Sequence, residues 1–78
     1  MPSITIDGWT FLFWSVDCQE PPHVHVRDGH KRAKIWLRKL TFAHVRGYNE
    51  HDQRQIMRVV RDNREKLLEV WNEHCSKA

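Results

Sequence analysis

The chain has 78 residues, with 13 Lys and Arg against 10 Asp and Glu, a net charge of +3 when its six histidines are neutral. That length fits one domain spanning 1–78 with a small core, since so short a chain buries only about 60% of its unfolded surface, and four Trp and three Phe supply much of the apolar area. No stretch approaches the roughly 20 apolar residues of a membrane span, and no charged start followed by an apolar run marks a leader. The excess of positive charge permits an acidic partner without requiring one. Cys18 and Cys75 lack C-x-x-C spacing. They could form one disulfide, but nothing marks a secreted scaffold, so reduced thiols in a cytoplasmic protein are the expectation.

Asp-Gly occurs twice between β-prone runs, which is a strong hairpin signal because a type I′ turn needs two residues at positive φ. The first, Asp7-Gly8, joins Ile4–Ile6 to Trp9–Val16. A two-residue loop sets Ile6 opposite Trp9 and Ile4 opposite Phe11. One face then carries Ile4, Ile6, Trp9, Phe11 and Phe13, and the other Thr5, Thr10, Leu12, Trp14 and Val16. An apolar strand on both sides reads as central. Pro21-Pro22 interrupts the pattern, because proline cannot donate to a ladder. A second hairpin follows, with strands near 23–27 and 31–37 around Asp28-Gly29, and Val24, Val26, Ala33, Ile35 and Leu37 share its inner face. Residues 39–48 read as a connection anchored by Leu40, Phe42, Val45 and Tyr48.

The remainder reads as one helix over about 50–75. Asn49 suits the N-cap, and Glu50 and Asp52 put negative charge in the first turn. Ile56, Val60, Leu67 and Trp71 form its apolar stripe, while Arg54, Arg58 and Arg61 lie opposite. The fold class expected is α+β: an antiparallel sheet of about four strands (two hairpins, about 3–38) packed against one long C-terminal helix.

The outer face of the second hairpin is the candidate site. A two-residue Asp28-Gly29 turn pairs Arg27 with His30, His25 with Arg32 and His23 with Lys34, and Trp36 continues the face. As an anion or nucleic-acid surface it would use His23, His25, Arg27, His30, Arg32, Lys34 and Trp36, extended by Arg54, Arg58 and Arg61 if the helix leaves both faces on one side. A metal reading takes His23 and His25, with Cys18, Glu20 or His30 as third ligand for zinc or another divalent ion. Cations placed opposite the histidines disfavour it, so no cofactor is expected. His23 and His25 could also act as a general acid–base pair in RNA cleavage, although solvated surface histidines would look the same. There is no Gly-rich phosphate loop, G-x-S-x-G or H-E-x-x-H, which favours a binding module over an enzyme.

Gly8-Trp9 with Phe11-Leu12-Phe13-Trp14, then Glu20-Pro21-Pro22-His23-Val24-His25-Val26, Ala33-Lys34-Ile35-Trp36-Leu37, and Leu67-Leu68 with Trp71-Asn72-Glu73 resemble the bacterial domain-of-unknown-function family 4160. The likeness spans nearly the whole chain, and Pro-Pro-His-Val-His-Val is its most specific part. It implies a small stand-alone protein of a toxin–antitoxin-like locus with a small cognate protein partner, acting on or near RNA or DNA. Separately, an aromatic sheet side left uncovered by the helix would mark a partner surface, for a homodimer or a heteromeric complex. An RNase-type toxin using His23 and His25 is the alternative. The resemblance carries no catalytic residues over. His30-Lys31-Arg32 before the Ala-Lys pair and Asn49-Glu50 at the helix start depart from the family pattern.

Overall fold

A computed structural model describes residues 2–14 and 18–76. Asp7 and Gly8 have φ of 51° and 83°, the pair of positive values that a type I′ turn requires. They join β1 (Ser3–Ile6) to β2 (Trp9–Leu12) with Ile6 opposite Trp9 and Ile4 opposite Phe11, the register expected. Val16, assigned to the outer side of this strand, lies outside the described residues.

The second Asp-Gly does not form the same turn. β3 (His23–Asp28) and β4 (Lys31–Trp36) leave Gly29 and His30 as the loop. Positive φ falls on Gly29 alone, at 61°, which is the type II′ arrangement with glycine first. Asp28 therefore ends the strand, and the pairs are Arg27 with Arg32, His25 with Lys34 and His23 with Trp36. This corrects the expected register by two residues. Because side chains alternate with a period of two, a slip of two leaves every residue on its expected face.

The stretch read as a connection holds a fifth strand, β5 (Thr41–Arg46), antiparallel to β4. The result is a five-stranded meander in the order β1-β2-β3-β4-β5. The β4–β5 register shifts between Lys34 and Ile35. Phe42 and Val45, three residues apart, consequently both pack on the core, where a regular strand would send them to opposite faces. Leu37 N–H donates to the Pro22 carbonyl at 3.0 Å, so the prolines still accept where they cannot donate.

Two helices follow in place of one: α1 (Glu50–Asp62) and α2 (Arg64–Ser76). The Asn49 side chain caps α1 by accepting from Asp52 N–H at 2.8 Å, as expected. Asn63 divides them. It sits on the buried stripe, three residues past Val60 and four before Leu67, where its amide cannot join an apolar core. Its Nδ2 bonds back to the Val59 carbonyl at 2.8 Å, and its N–H reaches the Val59 and Val60 carbonyls at 3.1 and 3.3 Å. The Nδ2 bond, made beside the ordinary helical bond of the N–H, competes with a continuous helix, and Asn63 leaves helical geometry at φ −120° and ψ 20°.

Phe11, Phe13, Val24, Val26, Ile35 and Leu37 of the sheet form one buried cluster with Ile56, Val59, Val60, Leu67 and Trp71 of the helices. The fold is α+β, with both helices on the Phe11–Phe13 side. Leu12, Trp14, His25, Lys34 and Trp36 belong to the opposite, open face.

The last turns of α2 return to the loop ahead of β3, bringing Cys75 and Cys18 to a Cα–Cα distance of 5.5 Å, and a disulfide joins them. Reduced thiols were expected; tertiary proximity across 57 residues of sequence decides otherwise. Closing a loop of that length stabilises a chain by about 4 kcal/mol, a large share of the roughly 5–15 kcal/mol typical of small domains. Cys75→Ser, or reduction of the wild type, is expected to lower unfolding free energy by about that amount. Urea melts with and without a reductant check this, and coincident curves for oxidised and reduced protein would refute it.

Candidate functional site

The open face is built from cross-strand rows. Arg27 of β3 pairs with Arg32 of β4, which pairs with Arg46 of β5. The adjacent row runs Leu12, His25, Lys34 and His44 across four strands. Neighbouring strands lie about 4.8 Å apart, so the three arginines originate within about 10 Å. Among the described residues none of the three makes an ion pair. Like charges placed directly opposite destabilise a sheet. Such a row costs the isolated fold energy that a bound anion would offset.

Aromatic rings flank the cations. Trp14 stacks on His25 with ring centroids 3.9 Å apart and planes 16° from parallel. Lys34 Nζ lies 4.5 Å from the Trp36 ring centroid and 2.6 Å from Glu20 Oε1. Between the two rows the face opens into a cavity of about 220 Å³, walled by Trp14, His25 and His44 and by Arg27, Arg32 and Lys34.

His25, Arg27, Arg32, Lys34 and Trp36 thus come together as expected. His23 does not join them at the surface. It is wholly buried, its Nδ1 hydrogen-bonded to the Pro21 carbonyl at 2.9 Å. A carbonyl only accepts, so Nδ1 carries the proton. Trp71 reaches it from α2, with centroids 4.9 Å apart, and Trp36 flanks it at 5.4 Å. His23 joins the helix layer to the open face: its ring lies edge-on to that of His25 at 5.0 Å, but its full burial keeps it from direct contact with a surface-bound substrate.

His30 stands exposed in the hairpin turn, off the end of the face. Arg54, Arg58 and Arg61 are exposed on α1, beyond the covered side of the sheet. Arg54 pairs with Glu50, Arg58 bonds Gln55 and Arg61 pairs with Asp62. The expected extension of the site along the helix therefore fails, because the stripe opposite these arginines packs against the other sheet face. Cys18 has its sulfur in the disulfide and is unavailable to a metal, and Glu20 serves Lys34. No group of three or more candidate ligands is present among the described residues.

Three members of the site were not among its expected residues. Arg46 and His44 lie in the concealed fifth strand, and Trp14, placed by alternation on the side opposite Phe11 and Phe13, had been given no part in the site. For β5, the polar residues Thr41, His44 and Arg46 carry the signal once one bulge is allowed.

A second recess, about 520 Å³, lies at the turn end and is lined by Asp7, Trp9, Arg27, Asp28 and Tyr48. Tyr48 is 6% exposed, and its hydroxyl has no hydrogen-bond partner among the described residues. Burial raises its pKa above the ordinary value, helped by the charges of Asp28 and Asp52. The carboxylates and the neutral phenol make this recess unsuited to anions, in contrast to the sheet face.

The model of a family described as a domain of unknown function, DUF4160, matches residues 8–72. That span contains the Pro-Pro-His-Val-His-Val segment and both arginine-bearing strands of the hairpin. No curated protein and no solved structure matches the chain. Among the described residues, no helix is long and apolar enough to cross a membrane.

The phenol yields a signed pH prediction. With its folded pKa raised, Tyr48 holds its proton in the native state at a pH where the unfolded chain has lost it. Its contribution is fully present below the unfolded value of about 10 and falls as pH rises past it. Tyr48→Phe should be neutral or mildly stabilising at pH 8, and its thermal midpoint should fall less than the wild type's between pH 8 and pH 10.5. Parallel shifts in the two proteins would show that Tyr48 does not contribute.

Proposed function

The chain belongs to the DUF4160 family, and we propose that this member is a binding module whose open sheet face contacts nucleic acid. The observation that carries this reading is the Arg27–Arg32–Arg46 row: three fixed cations opposite one another, on a face with no helix over it, beside stacked aromatic rings. Guanidinium groups suit phosphate oxygens geometrically as well as electrostatically. An antiparallel sheet with exposed aromatics and surrounding cations is also one of the general solutions for holding RNA. The family resemblance adds a cognate small protein in a toxin–antitoxin-like pair, with this chain as the member touching nucleic acid. Binding is the activity assigned, since the buried His23 leaves the RNase alternative without one of its two histidines.

Titration of a short RNA against oxidised protein tests the proposal. Binding should weaken steeply with salt, with a logarithmic slope of about −2 if three single-strand phosphates are neutralised. Arg32→Thr should reduce the magnitude of that slope by about 0.7, the share of one single-strand phosphate. The same change removes the central member of a like-charge row, so the free protein should melt a few degrees higher. Absence of binding at low salt, or binding indifferent to salt, would overturn the reading. Loss of stability in Arg32→Thr would remove the argument from the row.

A further inference from the structure

We propose that the cavity beside the Trp14–His25 stack receives one unpaired base, so that the ligand of this face is a single strand. The inference rests on the nucleic-acid reading and names its substrate class. Trp14 and His25 are already parallel, 16° between planes at 3.9 Å, and both line the cavity, so a planar group entering it meets rings whose orientation is set in advance. Trp14 is held on the open side because its neighbours Phe11 and Phe13 are wholly buried on the other. His25 is held by the ladder, paired with Leu12 on one side and Lys34 on the other.

The size and chemistry of the cavity select the occupant. At about 220 Å³ it is smaller than the roughly 300–1,000 Å³ of sites that enclose a whole small molecule. It suits one planar group of a longer chain whose remainder lies outside. Its walls divide into rings (Trp14, His25, His44) and cations (Arg27, Arg32, Lys34). Rings on one side and guanidinium groups on the other are what one nucleotide needs, a base to stack and a phosphate to pair. A base inside a duplex has no exposed face to offer, whereas an unpaired base stacks on aromatic side chains at little sequence cost. Arg46, next in the row after Arg32, continues the cationic track beyond the cavity, along which the neighbouring phosphate would lie.

The experiment compares two single-stranded oligonucleotides of equal length and charge, one with normal bases and one abasic throughout its centre, against oxidised wild-type protein. The normal strand should bind about tenfold tighter or more. Trp14→Ala should erase that difference while leaving the salt slope unchanged, and Trp14→Phe should keep most of it. The wild-type comparison stands even if Trp14→Ala fails to fold. Equal affinity for the two strands, with salt-sensitive and Arg32-dependent binding intact, overturns the base pocket but leaves the basic face as a phosphate surface. No binding of either strand at low salt overturns both.

Discussion

The helices cover one face of the sheet only. Ile56, Val59 and Val60 of α1 and Leu67 and Trp71 of α2 pack on Phe11, Phe13, Val24, Val26 and Ile35 in one buried cluster. A molecule this small has no second layer to lay over the other side. The opposite face is left to water or to a partner, and every residue assigned to the site stands there by the alternation of side chains along a strand.

The two layers are joined where β3 begins. His23 faces the open side by register, yet it is buried because Trp71 arrives from α2 and Trp36 from the paired strand. Its proton on Nδ1 closes onto the Pro21 carbonyl, which fixes the path of the proline loop. The same loop holds Cys18, tied to Cys75 near the end of α2, and Glu20, which reaches Lys34. The loop, the helix end and one cation of the open face are therefore tied together. The segment most characteristic of the sequence, Pro-Pro-His-Val-His-Val, divides its two histidines between tasks: His23 secures the architecture, and His25 stacks with Trp14 on the surface.

The open face is poorly arranged for stability and well arranged for anions. Three arginines in one row repel, and no described carboxylate relieves them. On α1, by contrast, Glu50 lies beside Arg54 and Asp62 beside Arg61, while Arg58 bonds the neutral Gln55. Exposed pairs of that kind contribute little, and their presence marks the helix face as ordinary solvated surface. Among the described residues, two of the three helix arginines have a carboxylate beside them and none of the three strand arginines does, which separates two basic stripes that look alike in sequence.

Local chemistry made much of this legible in the sequence. The positive φ required at Asp7-Gly8 set the first hairpin and its register, Asn49 with Asp52 set the start of the helix, and alternation assigned His25, Arg27, Arg32, Lys34 and Trp36 to one face. Each is a property of residues within a few positions of one another. What needed the tertiary structure depends on distant partners. The β4–β5 irregularity near Lys34 hid a strand by breaking its period, so Arg46 and His44 were out of sight. Asn63 divides the helix because the stripe it interrupts is buried. Cys18 meets Cys75 only when α2 returns across the sheet. The face that the helices cover could not be read from β2, which is apolar on both sides; only the packing of Trp71 and Ile56 against its partners decided it. Alternation grouped the hairpin residues on one side of the sheet, and the position of the helices decided that this side is the uncovered one.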